Sequence, residues 1–271
     1  MNLTISPCPN DTFAFHALVH GLVPGAPPVE VRYADVDVTN TLALSSDLDL
    51  VKVSYAALPW LLDRYALLPC GGALGRGCGP LLLSAVPRDS VSGLRIAVPG
   101  ERTTAYLLLR LWMSGASPAS IDVVPFAEIM PAVAAGRYDA GLVIHEARFV
   151  YPRYGLTAIV DLGEWWESAT GLPIPLGAIL ARRGAVSARE AASWVRDSVS
   201  AAWAAPEASR EYVLSHAAEM EPAVVEQHIK LYVNEFTLEL GDEGYGAVRE
   251  LLGRAAHAGL VPPVDSAISE I

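Results

Sequence analysis

Short apolar runs alternate with helix-like segments along most of this chain, and that alternation restricts it to an α/β fold, a mostly parallel sheet with helices on its faces. Residues 3–6 read as a first strand, after which Asn10 or Asp11 caps a helix to about residue 20. Residues 29–36 are a second strand, 39–46 a helix, 50–54 a third strand and 56–65 another helix. The run GGALGRGCG at 71–79 carries five glycines and leads into an apolar stretch, 80–85. This suits an extended crossing with bends that glycine tolerates. A second α/β unit comes next, with strands at 94–98, 121–124 and 140–144 and helices at 103–114 and 128–135. Residues 176–181 read as a returning strand, and the remainder is helical, at 188–204, 206–217, 222–232 and 242–258. The expected architecture is two α/β lobes joined by a two-strand hinge. Residues 1–86 and 182–271 form one discontinuous lobe with the C-terminal helices, and residues 87–181 form the inserted second lobe.

At 271 residues and 52% hydrophobic, with positive mean hydropathy, the chain can bury a substantial core. Nineteen basic against thirty acidic side chains give a net charge of -11. Nucleic acid and anionic membrane surfaces both need clustered positive charge, so neither is expected as a partner and a small molecule is. The start, MNLTISPCPNDTF, lacks a basic region followed by an apolar run, and no run approaches the roughly 20 residues that span a bilayer. Cytoplasm is the default location. Oligomeric state is left open, with a monomer as the default. Cys8, Cys70 and Cys78 are odd in number and lack metal-ligand spacing, so reduced thiols are expected.

Chemistry concentrates where strands end, because ligands of open α/β sheets meet the carboxyl ends of strands. The densest case is DAGLVIHEARFVYPRY at 139–154, where a buried-type strand delivers His145 and Glu146, with Arg148, Tyr151, Arg153 and Tyr154 close behind. A partly desolvated histidine stays neutral and accepts a proton near pH 7, and it serves equally well as a hydrogen-bonded structural residue. The SPCPNDTF segment at 6–13 starts a helix whose N–H groups near Asn10, Asp11 and Thr12 attract acceptors, or whose side chains merely cap it. Cys8 sits between prolines and can face a cleft, with no neighbouring base evident. In VKVSYAAL, 51–58, Lys52 and Ser54 share one face of a strand: partners for a carboxylate or polyhydroxylated ligand, or a snorkelling lysine and a cap. In AVPGERTTAY, 97–106, Thr103 and Thr104 open a helix in a generic anion-capable turn that matches neither the dinucleotide fingerprint nor the Walker loop. Trp165 and Trp166 are secondary candidates for stacking. No zinc motif and no nucleophile elbow is present, so no metal is implied.

Taken together, SPCPNDTFAFHAL, VKVSYAAL, GGALGRGCGP, VPGERTTAYLLL, GLVIHEARFVYPRYGL and DLGEWWESATGLPIPLGAI resemble the 1,4-dihydroxy-6-naphthoate synthase family of the futalosine route to menaquinone. The sister family that dehydrates chorismate shares the fold but fits the first and fifth blocks less well. The resemblance implies a type II periplasmic-binding-protein-like fold, conversion of cyclic dehypoxanthinylfutalosine by a carbon–carbon lyase reaction, and His145 as catalytic base. It also implies substrate contacts from Lys52, Val53, Ser54, Thr104 and Ala105, with Asn10, Asp11, Thr12, Thr103 and Arg153 as secondary candidates. The substrate is an anionic aromatic carboxylate, and no cofactor is required by this chemistry. A solute-binding protein without chemistry is the competing expectation.

Overall fold

The strands pair into two separate sheets, each the centre of one lobe. The computed structural model describes residues 1–218, 221–264 and 268; the rest of the expected C-terminal span of the first lobe lies outside the described residues. Along the chain run β1 (Asn2–Ile5), α1 (Pro9–Ala14), α2 (His16–Val19), β2 (Glu30–Tyr33), α3 (Val36–Ser45), β3 (Leu50–Ser54), β4 (Tyr65–Leu67) and β5 (Ala73–Gly75). The next are β6 (Leu81–Ser84), β7 (Arg95–Val98), α4 (Thr104–Trp112), β8 (Ser120–Val123), α5 (Phe126–Ala134), β9 (Ala140–Val143) and α6 (Ala147–Val150). Then come β10 (Thr157–Asp161), α7 (Leu162–Thr170), β11 (Ile174–Arg182) and α8 (Ala188–Ala204). The chain closes with α9 (Arg210–His216), α10 (Pro222–Tyr232), α11 (Glu235–Leu238) and α12 (Gly241–His257).

The first sheet has the order β2-β1-β3-β11-β4, with β5 also paired to β11; the second has the order β10-β6-β9-β7-β8. Pairing is parallel where the chain makes successive strand–helix crossovers, β1 with β2 and β3, and β7 with β8 and β9. It is antiparallel for β11 against β3, β4 and β5, and for β6 against both β9 and β10. Both sheets are therefore mixed rather than mostly parallel. The reason is that β6 and β11 enter from the other lobe and must run back against the strands already there.

Those crossings sit differently from the expected boundaries at 86/87 and 181/182. β6 already pairs in the second sheet and β11 pairs wholly in the first, so the chain changes lobe at 76–80 and again through α7. The crossings touch backbone to backbone. A Cβ on Gly79 would lie 2.2 Å from the Gly163 nitrogen, and one on Gly163 would lie 2.7 Å from the Gly79 nitrogen. Only glycine fits at either position. Arg148 fastens the same place, donating to the Gly79 carbonyl at 2.9 Å and to Asp161 at 2.5 Å. The other oxygen of Asp161 caps α7 by accepting from the Gly163 and Glu164 N–H groups.

Burial tracks the sheet faces. Leu3, Ile5, Phe15 and Ile179 pack against Val195 and Val199 of α8, and in the second lobe Leu83, Ala97 and Val143 pack against Ile129 and Val133 of α5. The largest cluster is continuous through both lobes, from Val51 and Leu180 to Leu82, Leu142 and Trp166. Segment 56–65, expected as a helix, holds only a short 3-10 helix (Tyr55–Trp60) that contains Pro59. A proline there removes an amide donor that a longer helix needs.

Candidate functional site

The carboxyl ends of β1 and β3 face His145 and the start of α4 across a cavity of about 70 Å³ between the lobes. Its wall includes Ser6, Asn10, Lys52, Ser54, Thr104, Ala105 and His145, with Tyr232 and Cys78 also contributing. This groups most of the expected residues around one space.

His145 leaves β9 with φ 54, the left-handed region, and is the sole non-glycine residue there among the described residues. Histidine tolerates this conformation better than branched residues do, and holding it carries strain of order 1–3 kcal/mol. The turn swings the ring under the edge of Phe126, whose centroid lies 5.7 Å away, and parallel to His228 at 6.3 Å. Burial depresses the His145 pKa to about 4; the Asp11 charge raises it and the Lys52 charge lowers it further. The imidazole is consequently neutral at pH 7, with its Nδ1 3.4 Å from the Cys8 sulfur. Cys8 thus has a base beside it after all, 137 residues away in sequence. Burial pushes its thiol pKa well up, so it is a protonated thiol rather than a thiolate.

On the facing wall, Lys52 is buried and ion-paired with Asp11, not snorkelling to solvent. Asp11 also accepts from the Ser6 N–H, the Ser6 hydroxyl at 2.6 Å and the Asn10 amide at 2.8 Å. Space for Lys52 comes from the neighbouring strand, where a Cβ on Gly177 would sit 2.7 Å from the lysine Cε. Asp11, Asn10 and Thr12 do not cap: α1 begins on Cys8 without a side-chain cap, and the Thr12 hydroxyl donates to the Cys8 carbonyl. Val53, between Lys52 and Ser54, is fully buried in the core and is absent from the cavity wall.

Ser54 is fixed by Asn40, which donates to its hydroxyl at 3.1 Å and accepts from its N–H at 2.8 Å. The Ser54 hydroxyl hydrogen remains available to a ligand. The two threonine hydroxyls at α4 are committed inside the protein. Thr103 donates to Gly100 and caps Tyr106, while Thr104 donates to the Leu176 carbonyl at 2.8 Å and accepts from Ala56. What α4 presents instead are the N–H groups of Thr104 and Ala105, first in a nine-residue helix and without intrahelical acceptors. Such a terminus favours an anion.

Arg153 does not join this group. It is exposed and pairs with Glu221. Trp166 is buried with its indole N–H donating to Pro173, and Trp165 faces a separate surface groove beside Arg148 and Asp161. His228 and Tyr232, on α10, are absent from the residues expected from sequence. His228 is fully buried, and its Nε2–H donates to the Asn10 side-chain oxygen at 3.0 Å. Its spacing from Val224, Val225 and Tyr232 marks one buried helical face, a signal that sequence does contain. Among the described residues, no group of three or more His, Cys, Asp or Glu side chains has the arrangement to hold a metal ion.

A family of menaquinone biosynthesis proteins matches residues 1–257. The chain belongs to that family. Of curated relatives, a Streptomyces coelicolor protein named 1,4-dihydroxy-6-naphthoate synthase is 60% identical over 267 residues, covering 97% of this chain and 95% of the relative. A Thermus thermophilus protein of the same name is 50% identical over 267 residues, covering 97% and 96%. Among solved structures, the periplasmic aliphatic sulphonate binding protein of Escherichia coli superposes with a TM-score of 0.68 at 12% identity, covering 100% of this chain and 93% of that one. The fold is thus that of periplasmic-binding-protein-like α/β lobes, in a member of the menaquinone family. No helix among the described residues is long and apolar enough to cross a membrane.

Proposed function

We propose that this protein is a carbon–carbon lyase that converts cyclic dehypoxanthinylfutalosine to 1,4-dihydroxy-6-naphthoate by base-initiated fragmentation in the interlobe cavity. The observation that carries the reading is a neutral His145 opening onto the same cavity as the Ser54 hydroxyl and the first N–H groups of α4.

In this reading the aromatic carboxylate lies on the Thr104 and Ala105 N–H groups and takes a hydrogen bond from Ser54. Lys52 contributes little net charge, because Asp11 neutralises it locally. The opposite end of the substrate meets His145, which removes the initiating proton. A positioned base of this kind contributes about 10²–10⁴-fold in rate. Developing oxyanions are met by amide donors in a site shielded from water, and aromatisation of the product drives the fragmentation. At about 70 Å³ the cavity is well below the roughly 300–1,000 Å³ of typical ligand sites, so the lobes part to admit the substrate and close again over it.

Mass analysis after incubation with cyclic dehypoxanthinylfutalosine tests the reading. Formation of the naphthoate with a three-carbon fragment supports it. Bound but unchanged ligand makes the protein a receptor, and turnover of chorismate in its place moves it to the dehydratase chemistry.

A further inference from the structure

The contact between Cys8 and His145 leaves open which atom holds the hydrogen, and the part His145 plays in the proposed reaction decides it. Ser6 donates its hydroxyl hydrogen to Asp11 at 2.6 Å, so the Ser6 oxygen is an acceptor toward everything else. It lies within reach of the Cys8 backbone N–H, which approaches at 3.4 Å. The ring stands with Nδ1 3.4 Å from the sulfur, so a base that works through Nε2 carries its own hydrogen on Nδ1 and offers it to a sulfur lone pair.

We infer that Cys8 is the positioning residue of His145. It accepts the Nδ1–H and so leaves the Nε2 lone pair to face the cavity. One hydrogen then runs from Nδ1 to sulfur, while the neighbouring Ser6 hydroxyl donates to the buried Asp11 carboxylate. When Nε2 takes a proton, the imidazolium keeps both N–H bonds, and the nearby Asp11 charge favours it. A thiol is a weak acceptor compared with a carboxylate, so it fixes the tautomer without holding the ring protonated beforehand. The charged and titratable groups around the pair are Asp11 from α1, Lys52 from β3, His228 from α10, Glu146 beside His145 and Asp35 before α3. Burial and the Lys52 charge favour the neutral imidazole, and the Asp11 charge opposes them. The inference rests on His145 acting as the base in the proposed reaction.

The test reads the ring directly, without substrate. Protein labelled with ¹⁵N-histidine, with His145 assigned by His145→Asn, is probed by long-range ¹H–¹⁵N spectra near pH 7. The expected result is the Nδ1–H tautomer in the unaltered protein, its loss in Cys8→Ala and its retention in Cys8→Ser, whose hydroxyl still accepts. An Nε2–H ring in the unaltered protein overturns the inference without any variant, as does an unchanged tautomer in Cys8→Ala. In turnover, Cys8→Ala should lower kcat about 10- to 100-fold, the size of loss seen when a histidine's orienting partner is removed elsewhere, and Cys8→Ser should restore most of it. Equal kcat in Cys8→Ala and the parent also overturns it. An Nδ1–H ring in a protein that does not convert the substrate supports the Cys8–His145 hydrogen bond and overturns the proposed reaction instead.

Discussion

Asp11 holds the ammonium of Lys52 inside the cavity wall, with both side chains almost wholly out of water. A buried pair gains much of its stability from being complete, because removing one partner strands a desolvated charge. Asp11→Asn should therefore destabilise the protein by about 3–5 kcal/mol. Replacing Lys52 by Met in the same chain should recover a substantial part. Urea unfolding of the two variants checks this, and equal midpoints would show that the pair is not coupled.

The depressed pKa of His145 sets the acid side of activity. Its folded value is about 4 against an unfolded value near 6.5, so folded protein binds fewer protons between those limits. Stability from this group is complete above pH 6.5 and falls as pH drops toward 4, by about 3 kcal/mol at most. His228, lowered well below its usual value by burial, acts with the same sign. The acid limb of kcat/KM should fall near pH 4 to 5 rather than 6.5. His145→Asn should lose about 10²–10⁴-fold in kcat at neutral pH, and a pH–rate series on the two proteins settles both points.

Ser54 and Thr104 should separate cleanly. Ser54→Ala removes a donor free to reach the ligand, so KM for the anionic substrate should rise about 10-fold, the equivalent of ~1.4 kcal/mol. Thr104→Val strips a hydroxyl that bridges the Ala56 N–H and the Leu176 carbonyl, leaving both orphaned. It should destabilise the fold by about 1–3 kcal/mol. Steady-state kinetics beside thermal unfolding distinguishes the two effects; a folded Ser54→Ala with unchanged KM would remove Ser54 from the binding site.

Gly79→Ala and Gly163→Ala each drive a methyl into the opposing backbone. Overpacking of this kind should destabilise by about 1–3 kcal/mol or more. Gly246→Ala, inside α12 with open space where its Cβ would stand, should instead be neutral or stabilise by up to ~1 kcal/mol. Calorimetric Tm values for the three variants make the comparison.

The strands at 50–54 and 140–144 are legible in sequence because they are continuous apolar runs, and His145 is legible as the residue that ends one of them. The direction the chain takes beyond His145 is not. The left-handed turn there redirects it, and Arg153 ends at the surface against Glu221 although it belongs to the same block of polar and aromatic residues. Cys8 and His145 meet only because two lobes close on each other, a relationship that no local spacing encodes. The strand β10 carries little signal either, being half-exposed at the edge of the second sheet without a clear alternation. His228 is within reach of sequence reasoning, since a histidine in register with Val224, Val225 and Tyr232 must lie on a buried face.

Gly79 and Gly163 meet with no side chain between them, so the two linking strands of polypeptide behave as one axle. Rotation about that point leaves the contact intact, whereas sliding or pulling the halves apart breaks it along with the Arg148 clasp. An opening about that point would work as a nutcracker does: the jaws swing widest at the far rim, and the distance from His145 to Ser54, which stand on different sheets, becomes a matter of angle alone.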